Sequence, residues 1–415
     1  MGMKLNKTSQ LVLVAAAGLV AASLLTACSQ VTQTLTVDFV FVASSKAAGS
    51  NNYGEINVFE VNSESGLMRQ IPDSPFPSEG RDPVAEAVSA DNGSLFVVNQ
   101  DDNSVVQFVI GSDGKLYPYN TVNTPGVYPL AIAANAANMF VLDTYQPLPT
   151  CSTAAPCAGS LAVFPLTAAT KNTAVTIGSP AVNPSIDANY WPLTLTGAKS
   201  SDVIVPTGVS VLASGSDVYV SAYDSSVTPY VGYIFGFSVG SGGVLTPLSG
   251  SPYAAGVQPS AIAGDPTSSY VYATDYAKAD ILGYSIASGV LTPLSGSPFP
   301  TGNQPTAITV NPSFPFLYVT NSLDATVTGY SMSSGALTEV GAFATGLEPV
   351  AVGIDPSTNH FLYTVNFLGD NVSGFELSQT AGTLLNSQFS PYASNDWPTA
   401  AAAIPHNGTG AGVQQ

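Results

Sequence analysis

The sequence predicts an all-β protein, a seven-bladed β-propeller closed by its C-terminal strand, and three recurrences carry that prediction. Leu245, Leu291, Leu337 and Leu384 recur at steps of 46, 46 and 47 residues, a period that fits one unit of several short strands. Seven prolines (Pro83, Pro129, Pro206, Pro259, Pro305, Pro349 and Pro398) each precede a short run of small apolar residues. Seven runs rich in aromatic and β-branched residues form a second column, as packed strands require.

The proline column predicts the innermost strands. Proline has no N–H and suits a strand's first position, and small side chains suit the crowded axis of a ring. The second column reads FVFVAS (39–44), LFVVNQ (95–100), MFVLDT (139–144), VYVSAY (218–223), YVYATD (270–275), FLYVTN (316–321) and FLYTVN (361–366). Third strands follow, among them NSVVQFVI, GYIFGFSV and NVSGFEL. The columns are offset at the ends: 39–44 has no inner strand before it, and 398–405 has no second strand after it. Residues 398–405 are therefore expected beside 36–44, giving seven four-stranded antiparallel blades with no open edge. Pro129 and Pro206 lie 77 residues apart against 46 for Pro259 and Pro305, which places insertions at 144–159 and 181–205, expected on one face or its rim.

The first residues are a processing signal. Lys4 and Lys7 precede the apolar stretch Leu11–Leu25, which is short for a membrane span. It runs into Leu25-Thr26-Ala27-Cys28, which looks like a bacterial lipobox with Cys28 as the lipidated residue. The expected organisation is a signal peptide over 1–27, a linker over 28–35, the propeller over 36–405 and a disordered tail over 406–415. The protein is expected at the bacterial cell envelope, at the outer membrane or on the periplasmic face, held to the membrane by an N-terminal lipid. Cys151 and Cys157, six apart in an exported chain, are expected to form a disulfide.

Removing Lys4 and Lys7 leaves seven Lys/Arg against 27 Asp/Glu, a formal charge of −20. That excludes nucleic acid as a partner, since such binding needs a basic patch. No metal site and no cofactor are expected: no zinc-type His/Cys cluster, haem motif or glycine-rich phosphate loop is present. Asp101-Asp102-Asn103 reads as a hairpin turn rather than a calcium loop. A monomer is expected.

The YVTN sequence at 318–321, the FLYVTN block and the LTPLSGSPF stretches resemble the YVTN-repeat, lactonase-type propeller family over about residues 36–405. The resemblance implies a seven-bladed ring and, for some members, 6-phosphogluconolactonase or related lactone chemistry. Its enzymes carry a Pro-Arg-His element at the start of an inner strand. Here the seven prolines are followed by Val84-Ala85, Leu130-Ala131, Thr207-Gly208, Ser260-Ala261, Thr306-Ala307, Val350-Ala351 and Thr399-Ala400. The only His residues are His360 and His406, and the only Arg residues are Arg69 and Arg81. No catalytic residue of the family can be carried over. A binding or scaffolding module is therefore favoured, with a lactonase-like hydrolase as the alternative.

Residues preceding the prolines should ring one mouth of the channel: Asp82, Tyr128, Val205, Gln258, Gln304, Glu348 and Trp397. Six of them can hydrogen-bond or stack, which suits a glycan or small neutral ligand. Trp191, in the second insertion, is expected either as a lid over that mouth or folded back against a blade edge. Glu86 stands where other inner strands hold Ile132, Val209, Ile262, Ile308, Val352 and Ala401. A carboxylate in an apolar column is costly unless paired, so Glu86 is a candidate catalytic residue with Arg81 as its expected partner. The Asn and Asp residues ending second strands (Asn99, Asp143, Asp275, Asn321, Asn366) read as turn formers.

Overall fold

The protein is described from a computed structural model covering residues 36–406 except 153, 172, 196, 198, 200 and 201. The expected signal peptide, Cys28, the linker 28–35 and residues 407–415 of the tail lie outside the described residues.

The strands form seven antiparallel sheets arranged as a β-propeller, one for each proline of the column. The first blade combines Thr36–Ala48, Tyr53–Asn62 and Met68–Gln70 with Pro398–Pro405 on its inner edge. That closing strand sets Ile404 against Phe39, Ala402 against Phe41 and Ala400 against Ala43, the pairing that the offset columns predict. Inner strands two to seven are Pro83–Val88, Val127–Ala134, Ile204–Val211, Pro259–Gly264, Pro305–Val310 and Pro349–Ile354. Blades three and four begin two residues before their proline, a small extension of the expected start. His406, just past the closing strand, has its ring 5.2 Å from that of Phe39.

Seven hydrophobic clusters fill the seven interfaces between blades. Alternate residues of each second strand supply two neighbouring interfaces: Phe41 faces blade two, while Val40 and Val42 face blade seven. This is why the second strands are almost continuously apolar rather than alternating.

Two recurring polar contacts tie blade to blade. A register shift follows the column proline in every sheet, a bulge at which the residue after proline leaves the ladder. The hydroxyls of Ser260, Thr306 and Thr399 thereby reach the next blade and donate to the carbonyls of Pro305, Pro349 and Pro83 at 2.6, 2.6 and 2.7 Å. Further out, the tyrosines of YVYATD, FLYVTN and VYVSAY are buried latches. Tyr219, Tyr272 and Tyr318 donate to the carbonyls of Gly289, Gly335 and Gly382 at 2.7, 2.8 and 2.9 Å, each glycine in the outer hairpin of the following blade.

The outer edges depart from the expected four-strand plan. Five of the seven sheets carry a fifth short strand, because the outer strand is broken in two. In four of these sheets a Ser-Pro segment such as LSGSP makes the break, and in blade three the insertion does. Leu248 N–H donates to Gly236 O at 2.9 Å and Ser251 Oγ accepts Gly236 N–H at 2.9 Å, so the serine hydroxyl replaces the missing backbone acceptor. Ser74, Ser297 and Ser390 repeat the arrangement. Proline is tolerated there because the edge faces solvent.

The tyrosine latches yield a paired prediction. Tyr318→Phe should destabilise the protein by about 1 kcal/mol, the net worth of a buried hydrogen bond. Tyr363→Phe, which removes a buried hydroxyl without a hydrogen-bond partner, should cost nothing or stabilise. Urea midpoints of the two variants check this, and equal losses would contradict it.

Candidate functional site

The end of the ring where inner strands begin, the proline face, gathers the functional candidates. Each column proline lies opposite the end of a second strand: Pro83 pairs with Asn99, Pro305 with Asn321, Pro349 with Asn366. The turns from second to third strands and the loops between blades therefore share this face. The Cys151–Cys157 disulfide forms, with an S–S distance of 2.04 Å, in a loop of the same class between Asn138–Tyr145 and Ser160–Thr167.

The rim is held rigidly. Asp82, Tyr128, Gln304, Glu348 and Trp397 all have positive φ between 53° and 59°, a region that residues other than glycine occupy only when their surroundings hold them there. The hold is visible in the carbonyls. Those of Asp82, Gln258, Gln304, Glu348 and Trp397 accept N–H groups of Gln100, Tyr276, Ser322, Phe367 and Ser45, just past the second strands. The Tyr128 carbonyl accepts Thr144 Oγ1 at 2.7 Å.

The Asn/Asp column is the second half of this clamp: Asp275 also caps its own turn, accepting the Ala277 N–H at 3.1 Å, whereas Asn321 and Asn366 bond side chains of the third strand. These side chains are buried under the loop that joins consecutive blades. Asp275 accepts the Val257 and Gln258 N–H groups at 2.6 and 3.1 Å, and a Cβ on Gly256 would lie 2.2 Å from its carboxylate. Gly126 stands against Asp143 in the same way, and burial pushes Asp143 up to about 7. Glycine is required where the loop backbone crosses the side chain. Asp265, Asn311 and Asp355 at the opposite face do form the turns, accepting N–H groups two to six residues on.

The rim side chains engage their own blade or the preceding one, and no hydrogen bond or ring contact joins one rim residue to another among the described residues. Tyr128 meets Tyr145 edge-on at 6.3 Å. Trp397, 48% exposed, lies parallel to Phe367 at 6.4 Å, with Lys46 Nζ 5.9 Å from the tryptophan ring centre. Burial and the nearby Asp101 hold Asp82 above its usual range. Gln258, Gln304 and Glu348 are half-buried on the same rim.

Of the two readings of Trp191 the folded-back one holds, and the pairing expected for Arg81 is overturned. Trp191 is no lid: it is 3% exposed in the apolar core between blades three and four, and its Nε1 donates to Leu245 O at 3.0 Å. A short strand, Trp191–Pro192, pairs the insertion with Ser160–Thr167 and draws the ring inward. Arg81 does not pair with Glu86. Its Nε donates to Asp102 Oδ1 at 2.7 Å on the surface, so the Asp101-Asp102 turn claims it.

Glu86 is therefore alone. Its neighbours in the column, such as Ile132 and Val209, pack into interblade clusters as expected. Both Glu86 carboxylate oxygens are shielded from solvent and lack a hydrogen-bond partner. Burial drives its titration well above the usual carboxylate range. The Ala402 amide of the closing strand opposes that shift without completing a bond. Glu86 is thus a buried acid without a hydrogen-bond partner beside the ring closure. A second such group escaped sequence reasoning, although Asp38 within TVDFVFV carries the signal that drew attention to Glu86. Asp38 is fully buried at the seam of blades seven and one, with no completed hydrogen bond. Burial, and then the neighbouring Asp355 carboxylate, push it up to about 8. Asp355 is held below its usual value by the Ser357, Thr358, His360 and Phe361 amides despite its burial.

An open groove of about 390 Å³ lies beside blade six, lined by Thr301, Asp324, Thr328 and Glu339 among others. No rim residue lines it.

The ring, its closure and its proline-face loops define a seven-bladed propeller whose candidate site is a rim of loops. Residues 289–396 match the family model described as lactonase, 7-bladed beta-propeller. A candidate 6-phosphogluconolactonase from Bacteroides fragilis is 19% identical, covering 90% of this chain and 99% of its own, with a TM-score of 0.66. The periplasmic gluconolactonase of Pseudomonas aeruginosa is 17% identical over 89% of this chain and 99% of its own, with a TM-score of 0.67. No curated protein sequence matches the chain. The chain thus has the fold of the lactonase-type propellers.

The buried acids set a pH dependence. Asp38 is raised from 3.8 to about 8 in the folded protein, so the folded state keeps a proton that the unfolded chain releases. Its contribution to stability is complete below about pH 4, is lost as pH rises to about 8, and is constant above that. Glu86 acts with the same sign. Urea midpoints should fall between about pH 5 and about pH 8. Asp38→Asn should flatten this profile and be the more stable protein at its alkaline end. A native profile without that fall, or a parallel variant, would contradict the assignment.

Proposed function

We propose that the protein is an exported, lipid-anchored module of the bacterial cell envelope that binds a neutral, sugar-like ligand at the proline-face mouth. The observation carrying this reading is a rigid rim of hydrogen-bonding and aromatic side chains whose own charged members, Asp82 and Glu348, are acidic. Of the bases beside the rim, Arg81 and Lys46 are paired with Asp102 and Asp396, and Lys278 stands in the blade-five turn next to Asp280. Asp82 and Glu348 add negative charge in a chain whose mature part carries −20, which disfavours a phosphorylated sugar. Trp397 supplies the exposed plane on which a sugar ring stacks, and the glutamines take hydroxyls.

A second reading, hydrolysis of a sugar lactone, is supported by the family match over 289–396 and by the named activities of the structural neighbours. The absence of an Arg-His pair after any column proline weighs against it.

Calorimetry with a panel of neutral and phosphorylated sugars tests the first reading. Neutral sugars should bind more tightly, and Trp397→Ala should weaken them by about 2 kcal/mol, roughly thirtyfold. Equal affinity in both proteins would remove the site. Lactone turnover abolished by Glu86→Gln would favour the hydrolase instead. The anchor is tested separately: Cys28→Ser should move the protein from the detergent phase to the soluble fraction, and retention with membranes would count against lipidation.

A further inference from the structure

Large apolar side chains that stay exposed are informative when they cluster. Leu323, Leu347, Leu368 and Trp397 are 65%, 62%, 58% and 48% exposed, and all lie in proline-face loops of blades six, seven and one. Backbone contacts make them one strip. The turn that carries Leu323 accepts Thr345 N–H at Ala325 O. Leu347 O accepts Gly369 N–H at 3.1 Å, placing Leu368 beside it. Phe367 N–H donates to Glu348 O at 2.8 Å, and the Phe367 ring lies parallel to Trp397. Each exposed group has an acid at its side: Asp324 follows Leu323, Glu348 follows Leu347, Asp370 is two residues after Leu368, and Asp396 precedes Trp397. Lys46 is the one base paired within this set, and it is bound to Asp396.

We propose that this strip docks a basic, amphipathic polypeptide segment. The apolar row supplies contact area, and the acids interleaved with it select lysine and arginine on the partner. The same charges repel an anionic bilayer, so a lipid surface is the poorer occupant. The inference is independent of the sugar reading, although the two share Trp397.

The test uses the folded propeller with a short leucine–lysine amphipathic peptide, a leucine–glutamate peptide of the same pattern, and phosphatidylglycerol vesicles. Binding is followed by calorimetry and by tryptophan fluorescence, in which Trp397 is the exposed reporter and Trp191 the buried one. The lysine peptide should bind, its affinity should fall with added salt, and the glutamate peptide and vesicles should not bind. The double variant Leu347→Ser/Leu368→Ser should lose about tenfold or more in affinity. Its thermal midpoint should be unchanged, since both side chains are exposed, and its sugar binding should be retained. Glu348→Lys should weaken the peptide without removing an apolar contact. Undiminished peptide affinity in the double variant, equal binding of the glutamate peptide, or competition by the vesicles would each overturn the proposal.

Discussion

The pairing of Pro398–Pro405 with Thr36–Ala48 is the interaction on which the ring depends. It joins segments more than 350 residues apart in sequence, so the closure entropy must be met before the contact forms. Without it, blade one has no inner strand and its second strand offers a bare edge. With it, every blade has two neighbours, and the apolar side chains of each second strand are buried on both faces. The seam differs chemically from the other interfaces. Tyr363 there lacks the latch that Tyr219, Tyr272 and Tyr318 make, and Tyr392 takes the Gly66 carbonyl in its place at 3.3 Å. Asp38 and Glu86 stand on either side of blade one, so two buried acids flank the closure.

The proline face owes its rigidity to the same repeat. Proline at or near the start of each inner strand removes a ladder donor, the bulge that follows turns the Ser260, Thr306 and Thr399 hydroxyls toward the next blade, and in five blades the preceding residue is held in a left-handed conformation. The rim is therefore a set of loops fixed at both ends rather than a set of free tips. Such a scaffold can vary its rim side chains at little cost to the fold. This explains how a chain can keep the lactonase-type ring without that family's Arg-His element.

The ring was legible because its two columns obey strong one-residue rules: proline at a strand start, and aromatic or β-branched residues where both faces are buried. The offset between columns placed the closure. What stayed hidden depended on contacts between segments distant in sequence. The broken outer strands require Ser251 and its equivalents to meet a backbone N–H of the third strand. The Asn/Asp column looked like turn chemistry because its residues end strands, yet Asn99, Asp143 and Asp275 reach the loop from the preceding blade, and Asn321 and Asn366 reach their own third strands. Trp191 lay in an insertion whose two-residue strand no periodicity marks. The rim positions themselves could be named from proline alone, but their local pairing, Tyr128 with Tyr145 and Trp397 with Phe367, could not. Arg81 was drawn to the nearer acid of an adjacent turn, as an exposed guanidinium usually is when a carboxylate lies within reach without desolvation.

A crystal structure of the protein with a neutral oligosaccharide bound tests the central claim most directly, namely that function resides on the proline-face rim. The account predicts a sugar ring seated on Trp397, with hydroxyls on the Gln258, Gln304 or Glu348 side chains. A ligand found instead in the groove beside blade six, or on the face opposite the prolines, would contradict it.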